Sequence, residues 1–347
     1  MSKFCVFCGN PPTDKNMEHV VPQWLIKMTG DEKRLCNLKT ILPRDIPFIQ
    51  FKFPACEACN SKYSDMEGSV KNVIVKILDG QSVNASEINL LMDWMDKVRI
   101  GLWLGALYLK KQVDQISPHM HIESRMGLKD RILIIERQNH RDKRLSFAGP
   151  AQPTFLHNPC AFQMIINNYI FTNVSEYGLV SRRLGFPYCD RVKFLDIDNV
   201  QFNTYKRAPG RVINPVVRGL NGAPDKTIIY QSCSPAQADM FPDLYKSDYV
   251  TAHSLDAATG LGGIFYQKNA NGALYLPPTA RVNLTPKFTT KTNGQIVSQV
   301  FELQNYVIDN TYTLKFASPD VAAAQQKMNQ QLMALNNMYI RACQNKK

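Results

Sequence analysis

The chain has 347 residues, of which 44% are hydrophobic and 20% are charged. This composition is typical of folded globular proteins and argues against extensive disorder. The chain is long enough for two domains. The formal net charge of +12 favours a polyanionic partner such as DNA, although a basic protein need not have one. The first 80 residues carry 11 Lys and Arg against 9 Asp and Glu, so most of the positive charge lies beyond them.

Neither a membrane segment nor a signal peptide is indicated. The most apolar window without charge, residues 100–109, is about half as long as a bilayer crossing requires, so we expect no membrane partner. The opening MSKFCVFCGN has no apolar stretch of the kind that signal peptides contain. We therefore expect a cytoplasmic protein whose nine cysteines are reduced.

The first 80 residues read as a small unit that ends in a helix. Six prolines within the first 60 residues predict a loop-rich segment that needs a metal to fold, with a short helix between Pro22 and Gly30. From Tyr63 to Ile77, apolar residues recur at three- and four-residue spacing, and Gly80 follows. This pattern predicts an amphipathic helix with a glycine stop.

A second helix is predicted from about Ser86 to Lys111. Ser86 and Glu87 suit its N-cap and first turn, and the two lysines at 110 and 111 suit its C-terminal end. Its apolar residues surround most of the helix, so we expect it to be buried on several sides and to connect two domains.

Beyond Pro118 the pattern becomes strand-like. Short β-rich runs separated by turn residues predict a mostly antiparallel sheet, with a hairpin turn at residues 269–272; the runs are 131–138, 160–174, 191–197, 226–232 and 262–276. Ser318 to Asp320 predict the start of a C-terminal helix. We expect its apolar stripe to dock on the sheet or, alternatively, to meet a partner helix; the stripe is Ala324, Met328, Leu332, Leu335 and Tyr339.

These patterns predict an α+β fold in three parts. They are a small zinc-stapled domain at residues 1–80, a helical connector at 81–115, and a larger domain at 116–347 that has a mostly antiparallel sheet and a C-terminal helix.

Two CxxC pairs, Cys5 with Cys8 and Cys56 with Cys59, have the spacing of two zinc knuckles. Gly9 follows the first pair at a point where the chain must turn sharply, which favours a positive φ. We therefore predict a structural zinc ion bound by four thiolates. Such an ion has no open coordination position, so it stabilises the fold without activating water.

Between the two pairs lies NMEHVVPQWL, residues 16–25, in which Glu18 and His19 are adjacent. On a regular strand adjacent side chains point to opposite faces, although a strand end or a bulge can bring both toward one site. A single histidine is by itself most often an ordinary polar residue. Its neighbours in the chain make a functional reading stronger.

The order CxxC, EHVVP, Asn37-Leu38 and CxxCN resembles the HNH endonuclease family over about residues 4–80. The resemblance implies a ββα-metal fold in which His19 is the general base. It also implies that Glu18 and Asn60 bind a catalytic Mg²⁺ or Mn²⁺, and that Asn37 orients the base. Asn37 lies 19 residues before Cys56, farther than is usual in the family, so Gln50 is the alternative for that role.

The resemblance implies a metal-dependent nuclease that hydrolyses DNA phosphodiester bonds, in phage defence, restriction or a mobile element. Residues 116–347 would then serve DNA recognition or regulatory sensing, and basic segments at 180–194 and 205–219 could follow a phosphate backbone. A homo-oligomer, an activating ligand or a partner protein is compatible with this interpretation. The alternative is a non-catalytic zinc-ribbon protein that binds nucleic acid or regulates.

Overall fold

The computed structural model describes most of the chain: residues 4–12, 14, 16–30, 32–36, 46–110, 121–127, 129–176, 179–180, 187–194, 200–207, 222–231, 263–267, 273–311, 315–316 and 318–345. Asn37, the predicted turn at 269–272 and much of both basic segments lie outside these residues.

The N-terminal part contains short strands and two helices: β1 (Met17–His19), α1 (Gln23–Met28), β2 (Leu35–Cys36), β3 (Ile46–Pro47), a 3-10 turn at Phe48–Gln50, β4 (Lys52–Pro54) and α2 (Glu57–Leu78). The middle part continues with β5 (Ser82–Asn84), α3 (Ala85–Leu109), α4 (Ile122–Arg125), β6 (Asp130–Arg137), β7 (Leu145–Ala148), α5 (Pro153–His157), β8 (Ala161–Ile166) and β9 (Tyr169–Glu176). The remaining elements are β10 (Pro187–Phe194), β11 (Val200–Arg207), β12 (Lys226–Gln231), β13 (Ile264–Gln267), β14 (Leu274–Leu276), β15 (Arg281–Asn283), α6 (Asn293–Thr311), β16 (Lys315–Phe316) and α7 (Pro319–Gln344).

A two-stranded antiparallel ribbon followed by a helix forms the N-terminal unit. β1 pairs with β4 so that Met17 faces Pro54 and His19 faces Lys52, and α2 follows β4 almost directly. α2 begins at Glu57, earlier than the apolar pattern predicted, with Cys56 as its N-cap and Cys59 in its first turn. It ends as predicted, since Gly80 has a φ of +70° and its N–H bonds the carbonyl of Ile77.

α3 is the predicted connector helix. Its N-cap is Asn84 rather than Ser86, because the Asn84 side chain accepts from the Glu87 N–H while the Glu87 carboxylate accepts from the Asn84 N–H, both at 2.9 Å. Sixteen of its 25 residues are buried, which confirms that it is covered on several sides. It packs against α2 on one side and the large sheet on the other.

The large sheet has seven strands in the order β14-β13-β12-β6-β9-β8-β7, and every neighbouring pair is antiparallel. The apolar run at 160–174 is a hairpin that turns at Asn167, whose φ is +54°. All eight residues of β9 are buried, because helices cover both faces of the sheet centre.

The predicted docking of the C-terminal helix on the sheet is wrong. α7 packs on α6, with the rings of Phe301 and Tyr339 5.6 Å apart and the Asn336 amide donating to Asn305. α6 was not predicted, although its buried residues follow helical spacing; it contacts β8 and β9 and contributes Val300 and Val307 to the sheet's apolar cluster. α6 therefore covers the face of the large sheet on which α7 was expected to dock.

The fold is α+β, as predicted, with a C-terminal helix and a four-cysteine cluster near the N-terminus. Buried apolar residues from the N-terminal unit, α3 and the large sheet form one continuous cluster that runs from Cys5 to Leu284. Packing thus extends across the predicted boundaries at residues 80 and 115, and the three-part division stays a prediction. Among the described helices, each is too short or too polar to cross a lipid bilayer.

Candidate metal centre and candidate active site

The four predicted zinc ligands meet at one place. The sulfur atoms of Cys5, Cys8, Cys56 and Cys59 all lie within 4.8 Å of one another, and the Cys8 and Cys56 sulfurs are 3.9 Å apart. Tetrahedral zinc with bonds of about 2.3 Å places its sulfur ligands about 3.8 Å apart. The cluster could therefore hold a zinc ion.

Local backbone geometry forms each half of the cluster. Gly9 has the predicted positive φ, +80°, and its N–H bonds the Cys5 carbonyl at 2.9 Å, which closes the first knuckle. Cys56 is the N-cap of α2, and its N–H donates to the Cys5 sulfur at 3.2 Å. The second pair therefore lies at the N-terminus of a helix, where the backbone dipole stabilises thiolates.

The thiols need a cation in order to ionise together. Burial, with the neighbouring Cys5 and Cys8 thiols, raises the pKa of Cys56 to about 11. Burial and the same neighbours also raise the pKa of Cys59. At neutral pH four thiolates would repel one another strongly, whereas a bound zinc ion would neutralise them and release protons.

A short segment of the middle part supports the first knuckle. The N–H groups of Ile122 and Glu123 donate to the carbonyls of Val6 and Phe7, each at 3.0 Å. The buried ring of His121 lies so close to Gly9 that a Cβ there would be 2.3 Å from its Cδ2 atom. His121 thus packs against the knuckle, which explains why only glycine fits at position 9.

His19 lies at the C-terminal end of β1 and is half-buried. Its Nε2 is 3.1 Å from the carbonyl oxygen of Ile49, and its Nδ1 is 3.4 Å from the side-chain nitrogen of Gln23. A carbonyl oxygen only accepts, so Nε2 carries the proton and the neutral ring keeps its lone pair on Nδ1. Burial lowers the pKa of His19 below 6.5, which keeps the ring neutral at pH 7.

The carbonyl that orients His19 belongs to the 3-10 turn at Phe48–Gln50. The turn is closed by the Phe51 N–H, which bonds the Phe48 carbonyl at 3.0 Å, and it leads directly into β4. The predicted orienting residue, Asn37, lies outside the described residues. The alternative, Gln50, is next to Ile49 in the chain. The group that contacts His19 is therefore the main-chain carbonyl of Ile49 and not the side chain of Gln50.

Glu18 points to the opposite side of the ribbon, as a regular strand requires. Its side chain is almost fully buried, and its Oε1 accepts a hydrogen bond from Nζ of Lys97 on α3. The same ammonium donates to Oε1 of Glu67 on α2. The predicted metal ligand is therefore part of a buried cluster of two carboxylates and one ammonium.

Asn60 contacts the other end of the strand. Its Nδ2 lies 3.3 Å from Oδ1 of Asn16, an atom that also accepts from the Met17 N–H and must therefore be oxygen. Asn16 precedes His19 by three residues, or about 10 Å of extended chain. Among the described hydrogen bonds, none joins the side chains of Glu18, His19 and Asn60 to one another.

Two residues of this neighbourhood were missed by the sequence reasoning. Glu67 follows Asn60 by two helical turns on the same face of α2, and Lys97 lies on α3 directly after Asp96, in a helix whose residues are mostly buried. Both signals are visible in the sequence, since a buried lysine needs an anionic partner.

Comparisons with protein-family models, curated proteins and solved structures give no match. The fold and the site define an α+β protein with a candidate four-thiolate metal centre.

Proposed function

We propose that this protein is a metal-dependent endonuclease of the HNH type that hydrolyses DNA phosphodiester bonds. The observation that carries the proposal is the contact of His19 with the Ile49 carbonyl. His19 lies on the β1–β4 ribbon, and the four-cysteine cluster connects this part of the chain to α2. The HNH resemblance implies a neutral imidazole that is held in one orientation, close to a helix that a four-cysteine cluster holds in place.

In the proposed reaction His19 acts as the general base. Nδ1 removes a proton from a water molecule that replaces the Gln23 amide, while Nε2–H keeps its bond to Ile49. The water oxygen bonds to phosphorus as the bond to the 3′ oxygen breaks. The departing 3′ oxygen takes a proton from solvent, which leaves 5′-phosphate and 3′-hydroxyl ends.

The HNH resemblance assigns a hard divalent cation, Mg²⁺ or Mn²⁺, to Glu18 and Asn60, but these residues do not share a site with His19. Glu18 lies on the opposite face of the ribbon and is paired with Lys97, and Asn60 contacts Asn16 at the other end of β1. We also propose that the protein acts in the cytoplasm, where the thiols stay reduced. Its proposed biological role is in phage defence, restriction or a mobile element.

A plasmid assay tests the proposal. With Mg²⁺ or Mn²⁺, the wild type should convert supercoiled DNA to nicked or linear forms, and His19→Ala should slow this by about 100-fold or more. His157→Ala, the same change on α5, is the matched control and should cut normally. Zinc content should be equal in all three proteins. A wild type that cuts with neither cation, or a His19→Ala variant that cuts at the wild-type rate, contradicts the proposal.

One observation favours a second candidate, a non-catalytic zinc-ribbon protein that binds nucleic acid. Lys97 already neutralises the carboxylate of Glu18, which lessens its attraction for a metal. This candidate predicts that the wild type binds DNA and zinc but leaves the plasmid intact.

A further inference from the structure

The loop between β6 and β7, residues 138–144, is rich in basic residues. Arg141 and Lys143 are exposed, and within the described part of the chain no ion pair involves either of them. Asp142 is the acidic residue of the loop. Arg141, Lys143 and Arg144 outnumber Asp142, so the loop is positively charged and is suited to an anionic partner.

This loop lies against the N-terminal unit rather than at the far end of the sheet. The Cβ of Lys143 is 3.9 Å from the position that a Cβ on Gly30 would take, just beyond the end of α1. In β7, which follows the loop, the ring of Phe147 lies 5.9 Å from the ring of Phe48. Phe48 adjoins Ile49, the residue whose carbonyl holds His19.

Basic side chains continue from this loop to His19. Lys52 is directly opposite His19 in the β1–β4 register, so both side chains project from the same face of the ribbon, and Lys52 is exposed. Lys27 is exposed on α1, which starts beside His19 at Gln23. The six residues of α1 span about 9 Å, which is the distance between the His19 end and the Lys143 end of this path.

We infer that Lys27, Lys52, Arg141 and Lys143 form one phosphate-binding surface, by which the loop 138–144 holds the DNA backbone beside His19. The inference rests on the proposed function for its choice of DNA. Each strand of a duplex carries one phosphate per about 3.4 Å of axis, so the path along α1 spans about three phosphates. Among the described residues of this surface, the acidic groups are Asp142 and Glu32, and Glu32 lies 3.9 Å from the Lys27 ammonium.

The chemistry of the surface predicts how it binds. All four side chains are Lys or Arg, and they come from α1, β4 and the loop 138–144. Such an arrangement contacts phosphates along a backbone and by itself carries no sequence information. Binding through this surface should therefore tolerate changes in DNA sequence and weaken steeply as salt increases.

The test measures DNA binding separately from cutting. In a His19→Ala background, the anisotropy of a fluorescent duplex gives the affinity at several salt concentrations. Arg141→Glu with Lys143→Glu should weaken binding at least 10-fold and reduce the slope of log affinity against log salt by about 2. Lys327→Glu with Arg341→Glu, on exposed positions of α7, makes the same charge change and should alter the affinity less than about threefold.

The outcomes separate this inference from the proposed function. If the loop variant keeps its affinity and salt slope, the inference is overturned, even if the wild type cuts DNA. If the wild type fails to cut but the loop variant loses DNA, the surface stands and hydrolysis is contradicted. If poly-glutamate binds at this loop and duplex DNA does not, the partner is an acidic protein and the inference is overturned. Equal zinc content and melting temperature establish that both double variants are folded.

Discussion

The ammonium of Lys97 on α3 donates a hydrogen bond to the carboxylate of Glu18 on β1, 79 residues earlier in the chain. Both side chains are buried, and Glu67 on α2 accepts a second bond from the same ammonium. The ring of Phe7 lies 5.7 Å from the ammonium. The strand that ends at His19 is thereby fixed to α2 and α3 through one buried cation.

Replacing this cation should destabilise the protein. Lys97→Met leaves two carboxylates buried without a counter-charge, and we expect a loss of about 3–5 kcal/mol in the free energy of unfolding. Urea unfolding measures the change. Lys71→Met, on the exposed face of α2, is the control and should change stability by less than about 0.5 kcal/mol. Unchanged unfolding of the Lys97 variant would show that the cluster contributes little.

Stability should depend on the titration of Glu67. Burial raises the pKa of Glu67 to about 7, with Lys97 opposing the shift and Glu18 adding to it. Between pH 4.5 and 7 the folded protein then holds a proton that the unfolded chain has lost, so stability falls as pH rises through this range. Glu67→Gln should reduce the fall in melting temperature between pH 5 and pH 8. Identical pH profiles for the two proteins would argue against the shift.

Cleavage should have a simple pH dependence if His19 is the base. Burial lowers the pKa of His19 below 6.5, and a base acts only when it is unprotonated. We therefore expect the rate to rise with pH and to level off before pH 7. Initial rates from pH 5 to 8.5 test this, and a rate that still increases tenfold per unit above pH 7 is inconsistent with His19 as the base.

The protein should contain one zinc ion per chain that depends on the four clustered cysteines. Cys59→Ser removes one of four thiolates, and we expect it to lose zinc and to unfold at lower temperature. Cys160→Ala, at a buried cysteine outside the cluster, should keep the metal. Atomic absorption on dialysed protein measures the content. Full zinc in the Cys59 variant would rule out the four-cysteine site.

Two glycine substitutions should have opposite effects. Gly9→Ala places a Cβ against the His121 ring at a φ of +80°, and we expect it to destabilise the protein by about 1–3 kcal/mol and to weaken zinc binding. Gly68→Ala, inside α2 with open space around it, should stabilise by about 1 kcal/mol. Thermal unfolding of the two variants distinguishes them, and a stable Gly9→Ala protein would contradict the close packing seen here.

The metal cluster and the fold class were predictable from the sequence because their signals are local. A CxxC pair places two thiolates on one turn, so two pairs predict one cluster whatever lies between them. Helical and strand periodicity likewise identified α2, α3, α7 and six of the seven strands of the large sheet, whereas β7 was not predicted. The helical spacing in α6 was present but missed, and its omission produced the wrong expectation for α7.

What the tertiary structure decided depends on residues far apart in the chain. The Ile49 carbonyl orients His19, and a backbone carbonyl has no side-chain signature. Lys97 neutralises Glu18 only because α3 packs beside β1, and Lys143 lies near Gly30 only because the sheet edge meets α1. Residue spacing determined which groups are available for chemistry. Long-range packing determined which of these groups face one another, because burial couples charges that lie tens of residues apart in the sequence.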